Sequence, residues 1–314
     1  MEDNYKEIIR DGYGSNFNKI FIDFKSNKIK KICINKYGLN KIIKEINFFK
    51  YLSKYNDINI PKIYEFIENG YIMEYLNNYE SLYKIFYNFN NNKQKYILEK
   101  IYKYIFYLHN LEKKYVKKEE YINCLKIEIY DKIIDRFNLI RNKIEKFSYI
   151  NTINNIKFYD FNFLLETINN KIIELVTSKT EYYYTIIHGD CQFNNILYNP
   201  IYEDIYFIDP RGYFGNIDIF GIPEYDTAKI YFALSGYDEF DNRNINFLDI
   251  LNDNINIKIN IIDYSIFDIK NDLSMLLMLN IWLGNAQCFM EKNEIKGIYS
   301  YFIALYLGKK YIDI

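Results

Sequence analysis

Histidine is nearly missing from this chain: its 314 residues include two, His109 and His188. Cysteine is scarce as well. Cys33, Cys124, Cys191 and Cys288 stand far apart with no CxxC pair, which argues against a disulfide framework and against a cysteine zinc site. Neither sign of charge is in excess, since 40 Lys and Arg face 41 Asp and Glu, so no broad basic surface for nucleic acid is expected. The opening MEDNYKEIIRDGYG is charged and lacks the apolar centre of a leader peptide. No apolar run is expected to reach the roughly 18 residues of a membrane span. These absences lead to the expectation of a reduced, cytoplasmic setting with neither nucleic acid nor membrane as partner. The sequence leaves oligomeric state open.

Tyr and Phe, by contrast, are abundant, 35 and 24 of them among much Ile, Asn and Lys, with only 4 Pro. These residue types share AT-rich codons, and coding bias explains them better than any tyrosine-based function. An isolated Asn, Lys or Tyr therefore carries little weight here. Ordered sets carry more.

Residues 12 to 36 alternate with the two-residue period of a half-buried sheet in KIFIDF and KIKKICI, with KSNK suited to a hairpin turn. NKIIKEINFFKYLSKY then sets Ile42, Ile43, Ile46, Phe49 and Leu52 at helical spacing. Pro61 opens an extended piece, and YIMEYL follows as an apolar strand. From Ser81 the rhythm becomes that of long helices, through SLYKIFYNF and KQKYILEKIYKYIFYLHNLEKKY, and residues 121 to 177 read as helices too. At TIIHGD it breaks: NILYN and DIYFID, joined across NPIYED, read as a hairpin, after which LSMLLMLNIWLGNAQCFM and IYSYFIALYLGKKY return to helix. The fold class is α+β, a small antiparallel-sheet lobe at 1–76 followed by a mainly helical lobe at 77–314 with an inserted β-hairpin.

The chemistry concentrates in IIHGDCQFNNILYNP and YFIDPRGYFG. Asp190 and Asn195 offer a carboxylate and an amide on one loop, five residues apart, and Asp209 ends the returning strand. Oxygen donors of this kind suit magnesium, which keeps waters and shares its shell with phosphates. A hairpin over 196–208 would bring Asn195 and Asp209 together. Cys191, inside the loop, reads as neutral filler.

HGDCQFNNIL followed by YFIDPRG resembles the aminoglycoside phosphotransferase and choline kinase superfamily, small-molecule kinases of protein-kinase-like, bilobal fold. The match falls on His188, Gly189, Asp190, Asn195 and Asp209. It implies that Asp190 is the catalytic base, that Asn195 and Asp209 bind Mg2+, and that the substrates are ATP and a hydroxyl-bearing small molecule. GYGSNFNKIF looks like the phosphate-covering loop, with Gly14 and Ser15 at the nucleotide. In KIKKICI one lysine should reach the phosphates and pair with Glu45 on the next helix. Lys30 and Lys31 point to opposite strand faces; Lys31 is favoured because Ile32 and Ile34 would then share the core-packed face. YIMEYL resembles the hinge, where Glu74, Tyr75 and Leu76 would meet adenine. His109 and His188 read as structural, His188 as a brace of the catalytic loop. Asp226, in the Y-D-x-A-K element, reads as a second brace. Arg211 is left between a phosphate or acidic-substrate contact and a carboxylate pair.

For the acceptor, Trp282, Tyr237, Asp238 and Glu239 could form an aromatic and acidic pocket for an amine, although Trp282 in an apolar helix reads first as core. Sugars, amino alcohols such as choline and aminoglycosides stay open. Two alternatives stand beside this reading. One is a protein kinase, for which the stretch from Asp209 to Asp226 is short. The other is a nucleotide-binding pseudokinase acting as an interaction module.

Overall fold

Five antiparallel strands begin the chain, in the order β1-β2-β3-β5-β4: β1 Lys6–Ile8, β2 Asn18–Asp23, β3 Lys28–Cys33, β4 Ile63–Ile67 and β5 Gly70–Glu74. The computed structural model describes residues 5–8, 13–262 and 272–312. The turn between β2 and β3 is the one KSNK predicts. Asp23 closes it by accepting from the N–H groups of Lys25 and Ser26 and the Ser26 hydroxyl, while Asn27 takes the left-handed conformation at φ 51°.

Helix α1, Lys36–Leu52, crosses from β3 to β4 and is capped by Asn35, whose side chain accepts from the Gly38 N–H. It buries Ile42, Ile46, Phe48, Phe49 and Leu52, each worth about 1.5–3 kcal/mol on burial. Ile43, expected on that face, is instead exposed. The stripe runs through Phe48, next to Phe49, which meets Tyr71 of β5 edge-on at 5.4 Å.

After α2, Leu82–Phe86, helix α3 spans Asn91–Leu111 and buries Ile97, Leu98, Ile101, Ile105 and Leu108 at three- and four-residue intervals. The expected hairpin follows far downstream. Ile196–Asn199 pairs antiparallel with Asp204–Phe207, Ile196 facing Phe207. Glu203 in its turn takes Lys93 and the Tyr96 hydroxyl of α3, and Tyr104 stacks on Phe207 at 4.1 Å.

The far end of α3 is tied to α1 through Glu112, which accepts from Tyr51, Tyr55 and Lys54 at 2.6, 2.8 and 3.2 Å. The Tyr51 hydroxyl above all, then Tyr55 and Lys54, hold the Glu112 carboxyl down at about 2. A depressed folded value stabilises above the unfolded one, near 4.5, and that stability is lost as pH falls toward 2. Glu112→Gln is therefore expected to unfold at lower temperature than the parent at pH 7, by at most about 1 kcal/mol at so open a site. The gap between the two melting curves should narrow as pH falls below 4.5 and close only toward pH 2. A constant gap from pH 7 to 3 would show that the carboxylate charge is not what matters.

Contacts group the chain into two units, Met1–Lys114 with Tyr184–Ile230, and Tyr115–Tyr183 with Tyr231–Ile314. The elements above belong to the first. In the second, the helical reading of 121–177 needs correction. Helices Lys118–Lys126 and Lys132–Ile144, joined by a π turn, and Phe161–Thr177 are separated by a small hairpin, Thr152–Ile153 with Ile156–Lys157. Asn154 and Asn155 both have positive φ there, as a two-residue hairpin turn demands. This hairpin extends a further one, Asp249–Leu251 with Asn254–Asn256, into a four-stranded sheet.

The apolar stretch Asp272–Met290 also departs from expectation, since it has the length and composition of a membrane span. It breaks at Gly284 and Asn285 into helices Asp272–Leu283 and Ala286–Met290, and 78% of its most apolar window is buried within the protein. Trp282 is fully buried there and donates to the Ser235 hydroxyl at 2.7 Å, with Phe232, Tyr237 and Phe240 against its ring. Asp238 is buried as well, and Glu239 accepts from Asn260 at 2.7 Å. Trp282 and Tyr237 are thus core, not the walls of an amine pocket.

Candidate active site

Every charged residue singled out for catalysis lies in the first unit. The strand Tyr183–Ile186 delivers the chain to His188, Gly189 and Asp190. Gly189 has φ +77°, and a Cβ on it would stand 2.9 Å from the Cβ of Arg211, so both backbone and space call for glycine. Beneath this turn sits Asp226, fully buried, at the start of the helix Glu224–Leu234. It accepts from the His188 N–H at 3.0 Å, the Gly189 N–H at 2.6 Å and His109 Nε2 at 3.0 Å. Asp226 is the brace the sequence suggests, and His109 holds it. Burial alone would raise the Asp226 carboxyl, but the hydrogen bond and charge of His109 and the loop N–H groups bring it below its usual range.

His188 is fully buried, meeting Phe48 and Phe207 edge-on, and its Nδ1 accepts from the Asp190 N–H at 3.3 Å. Burial lowers its pKa, which keeps the ring neutral. Cys191 is buried too, and burial pushes its thiol well up, away from any nucleophilic role.

The Asp190 carboxylate is gripped on both oxygens. Asn195 Nδ2 donates to Oδ2 at 2.8 Å and to the Asp190 carbonyl at 3.0 Å, while Lys229 Nζ stands 2.9 Å from Oδ1. With its NH₂ turned to Asp190, the Asn195 amide presents its oxygen on the other side. The Ile208 N–H donates to the Asn195 carbonyl at 3.0 Å, so the hairpin does bring Asn195 beside the residue preceding Asp209.

Asp209 takes φ 55° and turns a carboxylate oxygen to Lys31 Nζ at 2.9 Å. On its other flank Lys31 meets Glu45 Oε2 at 2.7 Å, and Glu45 also accepts from Tyr71 at 2.8 Å. Burial works against the Lys31 charge, but Asp209 first and Glu45 second outweigh it and keep the ammonium protonated. Lys31 is the buried member of the lysine pair, though not for the reason read from the sequence, since Ile34 is 49% exposed. The face carrying Lys31 is interior because Glu45 of α1 covers it. Lys30 lies on the opposite face, over the ring of Tyr5.

The other expected contacts are placed as follows. Gly14 and Ser15 form part of a 3-10 turn, Tyr13–Asn16, entering β2; a Cβ on Gly14 would meet nothing within 4 Å, so the turn does not require glycine there. Gly12 lies outside the described residues. At the end of β5 the N–H groups of Glu74 and Tyr75 are already donated, to the carbonyls of Lys62 and Asn27. Leu76 follows them. Arg211 donates to the Tyr225 hydroxyl at 2.6 Å and lies over the rings of Tyr213 and Tyr225.

Among the described residues no three His, Cys, Asp or Glu side chains converge as a metal cage. One carboxylate and one amide oxygen suit instead a hard cation that completes its shell with phosphate and water, and the donor set fits magnesium. Lys229 and Tyr71 were missed in the sequence. For Lys229 the signal was present: Asp226 and Lys229 are three apart on one helix, so a brace that faces the loop carries the lysine to the same side.

Comparison with known proteins bears on the fold. Residues 106–210, a third of the chain, match the ecdysteroid kinase-like family. No curated protein matches by sequence. An aminoglycoside 2′-phosphotransferase of type IIIa, solved with GDP, is 12% identical with a TM-score of 0.55 over 98% of this chain and 91% of its own. The ethanolamine kinase of Plasmodium vivax is 15% identical with a TM-score of 0.54, over 98% and 82%. The choline kinase LicA of Streptococcus pneumoniae is 14% identical with a TM-score of 0.51, over 94% and 90%. The chain has the fold expected from its motifs, that of the aminoglycoside phosphotransferase and choline kinase superfamily.

Proposed function

We propose that this protein transfers the γ-phosphoryl group of ATP to a hydroxyl of a small molecule, with Asp190 as the base. One observation carries the reading. The Asp190 carboxylate is held by Asn195 and Lys229, while the Asn195 carbonyl is bonded to the strand leading into Asp209 and Asp209 is paired with Lys31. A base, two oxygen ligands and a buried cation thus form one connected set, the few parts that phosphoryl transfer requires. The names of the structural neighbours, kinases of choline and ethanolamine and a phosphotransferase of aminoglycosides, point the same way.

In this reading residues 1–76 handle the nucleotide and 77–314 carry the catalytic loop and acceptor site. Leu76 supplies the adenine contact, since the N–H groups of Glu74 and Tyr75 are taken up within the sheet. Gly14 and Ser15 lie over the phosphates. Lys31, fixed by Glu45, sets the α- and β-phosphates, and its link to Asp209 keeps the phosphate and metal ends of the site in register. Asn195 and Asp209 would hold magnesium, which when bound offsets the charge of the β- and γ-phosphates. Asp190 orients the acceptor hydroxyl and takes its proton. Catalysis is positioning and charge stabilisation.

The acceptor is a sugar, an amino alcohol or an aminoglycoside. Lys229 places positive charge beside Asp190, so the reacting end of the acceptor should be uncharged, with any amine held further away. The test is ATP consumption with magnesium against a panel of polyols, sugars, amino alcohols, nucleosides and aminoglycosides, for wild type and Asp190→Asn. Turnover of one compound is expected, falling about 10²–10⁴-fold in the variant while Mg·ATP binding persists. Binding without turnover across the panel would favour the interaction-module reading. Wild type that binds no ATP would end the proposal.

A further inference from the structure

Between Asp209 and the helix that carries Asp226 the chain makes a tight loop to which the mechanism above gives no task. The Arg211 N–H donates to the His188 carbonyl at 2.9 Å and the Ile187 N–H to the Ile219 carbonyl at 3.2 Å, so both ends are pinned to the residues leading into Asp190. Between the pins Tyr213–Phe214 pairs with Ile217–Asp218, turning at Gly215 with φ 55°. The Ile219 N–H returns to the Gly212 carbonyl at 3.0 Å and closes the loop. Ile219 has φ 71°, which a β-branched residue takes only where its surroundings impose it.

This imposed shape fits one neighbour, α1. Gly212 is buried at φ +71°, and a Cβ on it would stand 2.5 Å from the Lys44 carbonyl oxygen and 2.8 Å from the carbonyl carbon. Lys44 Nζ in turn pairs with the Asp218 carboxylate. Two turns along α1, Tyr51 meets Phe220 edge-on at 5.6 Å. Lys44, touched twice, directly precedes Glu45, which holds Lys31 at 2.7 Å.

Resting on the phosphotransfer reading for the role of Lys31, we infer that the loop 212–219 is the spacer that seats α1, with Gly212 and Asp218 as positioning residues that keep Glu45 on Lys31. The apolar stripe of α1 decides which face of the helix is inward. Burial of that kind is non-directional, however, and does not fix the helix to the accuracy that one ion pair needs. The loop supplies that accuracy. The Lys44 carbonyl shares its peptide plane with the Glu45 N–H, so whatever pushes the one displaces the other. Displacements of about 1 Å matter at such a site. Gly212 sets the seat, because a Cβ there would press on backbone and not on the end of a flexible side chain. The Lys44–Asp218 pair is part-exposed and weaker, and draws the helix onto that seat.

The test reads the surroundings of Lys31 and needs no acceptor. The whole chain would be acylated in brief pulses of acetic anhydride, and labelling at Lys31 and Lys296 followed by mass spectrometry. Lys296 is buried in the second unit with its Nζ on the carbonyls of Asp241 and Arg243, and reports general loosening. Gly212→Ala is expected to label at Lys31 on the order of tenfold faster than wild type, with Lys296 unchanged. Asp218→Lys, which sets like charges together, should speed Lys31 about 2- to 5-fold, and adding Lys44→Glu should restore its protection. Should Gly212→Ala fail to fold, the Asp218→Lys variant and its Lys44→Glu partner decide alone. Lys31 protected as in wild type throughout would overturn the inference and leave the phosphotransfer reading standing. Lys31 and Lys296 rising together, with no recovery on adding Lys44→Glu, would make the loop a general support and overturn it as well. Calorimetry separates the inference from the reading beneath it. With Lys31 at the phosphates, Gly212→Ala should bind Mg·ATP roughly tenfold more weakly and adenosine as wild type does. Lost Lys31 protection with Mg·ATP affinity unchanged would uphold the spacer and remove Lys31 from the phosphates.

Discussion

Asp226→Ala is expected to unfold at markedly lower urea concentration than the parent, with an unchanged slope, and to lose phosphoryl transfer altogether. Asp226 is fully buried, and its two oxygens hold the N–H groups of His188 and Gly189 and the ring of His109. Alanine leaves both N–H groups without their acceptor, at roughly 1–3 kcal/mol each, and leaves His109 without its partner. The sum, about 3–5 kcal/mol, is a large part of the stability of an ordinary domain. The effect on activity has a separate cause. Gly189 is held at φ +77° by these bonds, and a loop released from them no longer delivers Asp190 to Asn195 and Lys229. The Asp226 carboxyl is depressed, so its contribution is complete above its unfolded value near 3.8 and is lost as pH falls below it. The deficit of the alanine variant should accordingly be full at pH 7 and shrink toward pH 3. A midpoint equal to the parent's at pH 7 would show that the loop is held by something else.

How much of this was legible beforehand depended on whether the signal was local. The hairpin at 196–207 could be read because alternation and turn residues both lie within fifteen positions, and it carried Asn195 and Asp209 with it. The hairpin turning at Asn154 and Asn155 is as short and as regular. In a chain this rich in Asn, however, its two left-handed residues look like any other pair. Lys31 shows a different limit. Alternation correctly separated it from Lys30, but which strand face is interior depends on where α1 lies, and Glu45 decides that from fourteen residues away. Ile43 and Phe48 exchange their expected places on α1 for a like reason, because helical spacing gives a stripe without its exact phase. The apolar stretch at 272–290 was underestimated because Asn280 and Asn285 interrupt it to the eye; both are buried, and Asn280 donates to the Ile129 carbonyl. Lys229 was visible in YDTAK and went unread, since its importance appears only once Asp226 is known to face the loop.

Lys31→Met tests the other half of the site. It should be costly in two separable ways. The replacement fits the buried stem but removes the charge that Glu45 and Asp209 share. Asp209 is partly exposed and water can screen it, whereas Glu45 is buried and keeps only the Tyr71 hydroxyl. Burial already raises the Glu45 carboxyl, with Lys31 pulling against it, so without Lys31 it must rise further. A raised folded value means that stability is complete below the unfolded value near 4.5 and is lost as pH climbs above it. Lys31→Met is therefore expected to be about 3 kcal/mol less stable than the parent at pH 7 and close to it at pH 4.5. Adding Glu45→Gln should return most of the stability at pH 7, because a neutral amide can keep the Tyr71 hydrogen bond without a charge to bury. It should not return activity. The phosphates still lack their ammonium, and the rate with magnesium and ATP should stay down on the order of 10²-fold. If the double variant recovered both together, Lys31 would be a structural ion pair and its place at the phosphates would have to be given up.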